Sequence, residues 1–459
     1  MKNNLRVLAG CLAVLTALLL SSCRSEAGGE SEASKSEVPV NVQFDPNKHV
    51  TVTMTFSVNE IGGNEVLEEL AALYPSIEVK VEPMSNGDTK LLAMIAAGNG
   101  PDIIRASAFE ELPSLVNRGL LMPLDAYIAS TGTIQEDDLF EVNDLFKFDG
   151  LNVGIGPRYG IVKDWSIDSC LWLNKQAFKD AGLELPSATE PITYDKLAEY
   201  AKKLTIKEGD TVKRFGLVTI NPLVSLVENY LASSGKSMWT EDFGSSTLLS
   251  EDTKAAINYW KDLQMNGYMA STLYTAQDMS PVAVSEGKAA MSMCGYWIVG
   301  QFRSTNTEAS VLDNLAFAPS PIAEGGKSVN STLTATGAGI FSGTKNPNEA
   351  YLVWEYIMAN KKSVEKRASL GWGLPAFKSA YSQLPSDSVL EQQALEVTSY
   401  QVEHMDATPR VNPFILYTGL TSTFDKNYNL VLYGKTDLDS ALKTIDEDLK
   451  YLIEEGKSF

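Results

Sequence analysis

The sequence predicts an α/β protein built as two lobes, and three observations predict it. The chain has 459 residues of mixed composition, more than a single hydrophobic core organises, so a second core is expected. From Val50 onward the pattern alternates strand, helix, strand, helix, strand, which implies a parallel sheet with crossover helices. Gly287 to Trp297 then reads as a buried strand, Ala289 to Cys294, ending in Gly295-Tyr296-Trp297. In open α/β sheets ligands bind outside the carboxyl ends of strands, so this strand either delivers two aromatics where a ligand would sit or ends in a Trp297 that caps a core.

The totals narrow the function classes. An apolar fraction of 44% is ordinary for a globular chain. A formal charge of -20 argues against nucleic acid, which needs a basic footprint, and disfavours a highly anionic ligand. With 2 His in the chain, His49 and His404, a His-rich metal site or a Ser-His-Asp triad lacks raw material. No cofactor is expected.

At the N-terminus, Lys2 and Arg6 precede an apolar run from Val7 to Leu20, the n-region and h-region of a secretory signal, too short to span a bilayer. Leu20-Ser21-Ser22-Cys23 resembles the lipobox of bacterial lipoproteins, which implies cleavage after residue 22 and lipidation of Cys23. Several acyl chains on one residue make a firm anchor. Arg24 to His49, rich in Ser, Glu, Gly and Ala, reads as a flexible tether. Of the remaining cysteines, Cys170 and Cys294 lie in apolar strand-like runs and read as buried thiols, with a disulfide between them as the alternative.

The body opens with the strand Val50 to Phe56, whose C-terminal loop carries Asn59 and Glu60. Both could meet ligand hydroxyls; Asn59 could instead cap the next helix. That helix sets Val66, Leu67, Leu70 and Leu73 on one face. Strand Ile77 to Val81, helix Thr89 to Ala97 and strand Pro101 to Arg105 follow. Further strands are expected at Cys170 to Asn174, Phe215 to Thr219, Leu315 to Pro319 and Gly337 to Ser342. Thr193 and Ser250 cap helices, Pro222 opens another, and a surface helix starts near Asp437. Trp260 sits on an apolar stripe and reads as core. Trp239 lies in a polar stretch where packing explains an aromatic less readily, and Tyr159 and Trp165 flank a loop before the Cys170 strand. All three are further pocket aromatics.

Several stretches match one known family in order. Leu91 to Ile103 (LLAMIAAGNGPDI), Gly119 to Asp125 (GLLMPLD), Leu171 to Leu183 (LWLNKQAFKDAGL), Pro191 to Leu197 (PITYDKL), Gly287 to Met291 (GKAAM) and Gly295-Tyr296-Trp297 resemble the family 1 extracellular solute-binding proteins of ABC importers, the lipid-anchored relatives of maltodextrin-binding protein. The resemblance covers nearly all of the chain after the tether. It implies a two-lobed periplasmic-binding-protein-like fold of type II, with a hinge closing on a ligand between the lobes. The expected lobes are residues 50–166 plus 320–370 and residues 167–319 plus 371–459, after a signal (1–22) and a lipidated tether (23–49). In such relatives the stretch Gly371 to Pro375 is the last crossing between lobes, so Trp372 either faces the cleft or packs the junction. Relatives also place ligand contacts near Thr408 to Pro413, which brings in Arg410.

Catalytic motifs are missing. Gly326-Lys327-Ser328 follows Pro321 where a P-loop needs its first glycine, and Gly154 to Gly160 spaces its glycines wrongly for a dinucleotide site. No Gly-x-Ser-x-Gly elbow occurs. Asp102 is the obvious acid, but in the family it belongs to a scaffold motif. The resulting expectation is a monomeric, lipid-anchored receptor on the outer face of the cell membrane, not an enzyme. It would bind a sugar or oligosaccharide through Trp297, Tyr296, Asn59, Glu60, Arg105, Trp165, Trp239, Trp372 and Arg410, and deliver it to the permease of an ABC importer. Two alternatives remain open: the same fold binding a polyamine, metal complex or peptide, and a lipid-anchored glycosidase, which needs two carboxylates at hydrolytic spacing.

Overall fold

The computed structural model describes residues 40–84, 89–107, 110–274, 280–329 and 335–458. The signal and Cys23 lie outside these residues. In chain order the strands are β1 (Val50–Met54), β2 (Ile77–Val81), β3 (Ile103–Ser107), β4 (Lys147–Phe148), β5 (Val153–Arg158), β6 (Ile161–Trp165), β7 (Leu171–Asn174), β8 (Ile206–Glu208), β9 (Thr211–Thr219), β10 (Ala289–Met293), β11 (Leu315–Ala318), β12 (Thr336–Ile340) and β13 (Leu374–Pro375).

Two sheets carry the fold, ordered β13-β6-β12-β3-β1-β2 and β11-β7-β10-β9-β8. β1 pairs in parallel with both β2 and β3, as the opening alternation requires. β12 returns late in the sequence and joins β3 antiparallel. In the second sheet β9 and β10 are parallel, while β7 and β11 run against them. The chain therefore crosses between sheets several times, and each sheet takes strands from distant segments.

Helices close the faces of both sheets, and their starts follow side-chain chemistry. Thr193 accepts the amide of Lys196 and Ser250 that of Thr253, each satisfying a donor in a first helical turn. Ser388 and Glu391 form a reciprocal capping box for helix Val389–Glu403. Asp437 accepts from Ser440 at the start of helix Leu438–Lys457, which buries Leu442, Ile445, Leu449 and Ile453. Trp260 is fully buried in the second lobe's core, as its stripe predicts. Cys170 and Cys294 are free, buried thiols, the desolvation raising both above the ordinary thiol value.

Three boundaries differ from the sequence reading. Residues 40–49, read as tether, pack on the first lobe: Val40, Val42 and Phe44 lie against its core, Phe44 sits 5.1 Å from the Tyr74 ring, and Lys48 Nζ reaches Glu349 at 2.8 Å. Alternating apolar residues give this stretch a face to bury. Ile322 bridges Thr193, so the second lobe extends past residue 319. Leu374 pairs with Trp165 in the first sheet, so the first lobe extends past residue 370. Hydrophobic patterning marks a strand as buried without saying which sheet it joins. The loop expected between Tyr159 and Trp165 is instead β6, paired on both edges.

Candidate ligand-binding cleft

The carboxyl ends of the parallel strands of both sheets open onto one cavity of about 550 Å³, within the ~300–1,000 Å³ of small-molecule sites. The first lobe supplies Asn59 and Glu60 after β1, Arg105 on β3, Lys163 and Asp164 on β6, and Arg367 from helix Lys361–Leu370. Asp168 lies on the crossing between β6 and β7. The second lobe adds Asn221 after β9, Trp297 after β10, and Tyr417 at the start of helix Tyr417–Leu432.

Glu60 organises the loop after β1. Its carboxylate accepts from the Ser57 amide at 2.8 Å, from the Ser57 hydroxyl at 2.9 Å and from Arg105 Nε at 2.7 Å. Burial pushes this carboxyl up, but Arg105, the Ser57 amide and Lys163 outweigh it and hold Glu60 below the ordinary value. Helix Asn64–Leu73 has Gly63 before its first residue, so Asn59 is left exposed at the cavity rather than capping. Arg105 Nη2 extends to Thr336 Oγ1 at 3.4 Å.

On the cavity floor Lys163 is buried and pairs with Asp164. Burial lowers the Lys163 ammonium, with Asp164 opposing. Arg367, 7% exposed, donates to the Ile357 and Met358 carbonyls and to Ser363 Oγ at 2.8 Å. Burial brings its guanidinium down to about 10, against the pull of Asp164.

Aromatic walls complete the site. Gly295 follows β10, where a Cβ would fall 2.0 Å from Ser166 Oγ and 2.4 Å from Asp168 Oδ1. Only glycine admits that approach, and it leads the chain to Trp297, half-buried, whose Nε1 donates to Asp168 Oδ1 at 3.1 Å. Trp372 stands 37% exposed at the cavity, and Trp165 shows an edge there while its Nε1 donates to the Pro375 carbonyl at 3.1 Å.

Glu110 and Tyr417 face each other across the two lobes, and the Tyr417 hydroxyl lies 2.5 Å from Ser225 Oγ. Burial raises the Glu110 carboxyl to about 8, with Glu111 and Asp168 adding to the rise and Tyr417 and Arg105 opposing it. Burial thus favours its neutral form.

Of the expected ligand residues, the cavity brings together Asn59, Glu60, Arg105, Trp165, Trp297 and Trp372. Three lie elsewhere. Tyr296 points into the core beside Trp297, 1% exposed, because adjacent residues at the turn face opposite ways. Trp239 is buried in the second lobe's core, its polar surroundings being an outer turn. Arg410 stacks on Phe243 at 4.3 Å and donates to the Glu241 carbonyl at 2.7 Å. The sequence reading missed Lys163, Asp164, Asp168, Arg367 and Tyr417. The alternation of β6 could have signalled the first two, whereas Tyr417 reads as part of an apolar helix stripe.

Asp102 lies at the start of β3 and does structural work, accepting from the Thr53 amide at 2.8 Å and from Thr344 Oγ1 at 2.5 Å.

Comparison with known proteins places this architecture. A family model described as bacterial extracellular solute-binding protein matches residues 61–361. No curated protein sequence matches the chain. Among solved structures, an ABC substrate-binding protein from Listeria monocytogenes in complex with cycloalternan is similar at 20% identity and a TM-score of 0.69, over 88% of this chain and 98% of that one. The maltose/maltodextrin-binding domain from Bdellovibrio bacteriovorus bound to maltotriose is similar at 17% identity and 0.68, over 88% and 100%. A transporter solute-binding protein from Thermotoga lettingae bound with α-D-tagatose is similar at 20% and 0.67, over 89% and 100%. At these identities the likeness establishes the two-lobed fold.

Proposed function

The chain belongs to the bacterial extracellular solute-binding protein family, and on that premise we propose that it captures a sugar or oligosaccharide in the interlobe cleft and delivers it to the permease of an ABC importer. The observation that carries the reading is the pairing of indoles with hydrogen-bonding groups around one cavity. Trp297 and Trp372 offer apolar faces, and Trp165 an edge, beside Asn59, Asp168, Asn221 and the Glu60–Arg105 pair. A pyranose has C–H surfaces on its faces and hydroxyls around its rim, so it meets both kinds of surface at once. The structural neighbours solved with cycloalternan, maltotriose and tagatose agree with this chemistry.

A ligand touching Trp297 from the second lobe and Glu60–Arg105 from the first binds the closed arrangement better than an open one and shifts the population toward it. The closed form is the signal read by the permease. Lipidation at Cys23 would hold the receptor at the outer face of the membrane, within diffusional reach of that permease.

The test is a thermal-shift screen of the full chain in detergent against mono- and oligosaccharides, polyamines and short peptides, followed by product analysis. Ligand at about 100 times its Kd adds about 2.7 kcal/mol of stability. Stabilisation by a saccharide series without products supports the reading. Stabilisation by polyamines or peptides alone replaces the ligand class, and saccharide cleavage makes the protein a glycosidase.

A further inference from the structure

Building on the saccharide reading, we propose that the cleft selects uncharged saccharides and rejects uronates and amino sugars, because its charged side chains are already committed to partners within the protein. A carboxylate is best held by the two parallel N–H groups of a guanidinium fork. In both cleft arginines the Nε–Nη2 edge is at least partly taken. Arg105 gives Nε to Glu60 and reaches Thr336 with Nη2. Arg367 directs Nη1 at the Ile357 carbonyl and Ser363, and Nη2 at the Met358 carbonyl. Only its Nε lacks a hydrogen-bond partner among the described residues. That is a single, buried donor, which makes no fork. The remaining cation, Lys163, is paired with Asp164.

The acids are committed in the same way. Glu60 holds Ser57 and Arg105, Asp164 holds Lys163, Asp168 accepts from Trp297, and Glu110 faces Tyr417. Of the cationic side chains, Arg105 and Lys163 are paired with Glu60 and Asp164, and Arg367 is held by carbonyls and the Ser363 hydroxyl. An added charge of either sign is desolvated there without a counter-charge, or must break a pair and strand its partner. A polyol avoids both costs. It uses second lone pairs on the carboxylates and the exposed amide of Asn59.

The experiment compares matched oligosaccharides of two to four units on the full chain in detergent, by thermal shift and calorimetry. The neutral set is malto-, manno-, cello-, xylo- and galacto-oligosaccharides; the charged sets are oligogalacturonates, oligomannuronates and glucosamine oligomers. The expected result is binding from the neutral set alone, with charged counterparts at least about tenfold weaker. A uronate or glucosamine oligomer binding as tightly as its neutral counterpart overturns this inference and leaves the saccharide reading standing. Silence from every saccharide overturns both. Glu60→Gln adds a second arm. Releasing Arg105 from its partner should move the uronate-to-neutral affinity ratio at least about tenfold toward uronate, and an unchanged ratio counts against the pairing argument.

Discussion

Trp372 lies across Gly300: a Cβ on that glycine would fall 2.8 Å from the indole Cδ2 and 2.9 Å from Cγ. Gly300 belongs to helix Ile298–Ser304, which starts directly after Trp297, and its amide donates to the Gly371 carbonyl at 2.9 Å. The two indoles that face the cleft are thus tied to one helical turn, although they lie far apart in the sequence.

Gly300→Ala should displace Trp372 from this seat. The expected outcome is a loss of about 1–3 kcal/mol in stability from overpacking, with weaker saccharide binding, read by denaturant unfolding and calorimetry on one preparation. Unchanged values for both would mean that the indole position is not set by the glycine.

Trp297→Ala should weaken saccharide binding by about 10–100-fold, the usual loss for a central aromatic anchor. Trp297→Phe keeps an aromatic face but loses the donor to Asp168, so its loss should be smaller. Equal affinity of wild type and alanine variant, measured calorimetrically, would remove Trp297 from the binding surface.

Stability should fall as pH rises from about 4.5 to about 8. Burial raises Glu110 and Glu228 from 4.5 to about 8 in the folded chain. Between those values the native state holds protons that the unfolded state has released, so unfolding becomes easier at up to about 1.4 kcal/mol per pH unit for each group. Glu228→Gln should flatten part of this slope without touching the cleft, and Glu110→Gln should flatten another part. Urea titrations at several pH values give the slopes; profiles identical to wild type would refute the assignment.

Asp102→Asn should cost about 1–3 kcal/mol by weakening the bonds to Thr53 and Thr344, and leave saccharide affinity within about twofold, since additivity holds for sites without shared partners. A variant of normal stability with abolished binding would give Asp102 a functional role.

Much of the fold was legible because local rules and global packing agree. The opening strands and helices follow periodicity, and Thr193, Ser250 and Asp437 start helices as their side chains dictate. The site was legible where a residue sits just past a strand's carboxyl end, as with Asn59, Glu60 and Trp297. Trp239 misled because a polar neighbourhood in sequence turned out to be an outer turn packed on the second lobe, and Arg410, brought in by the resemblance, stacks on Phe243 instead. Arg367 escaped notice because a buried arginine on a charged helix looks the same in sequence as an exposed one.

The sequence by itself determined the α/β class, the two-core size and the strand that precedes Trp297, since periodicity, length and turn chemistry are local properties. Tertiary structure alone decided which indoles share a cavity, which carboxylate meets which cation, and where one lobe gives way to the other. Those relationships join residues as far apart as Arg105 and Thr336, or Gly300 and Gly371. Their pairing is set by sheet order and crossover geometry, which no local pattern encodes.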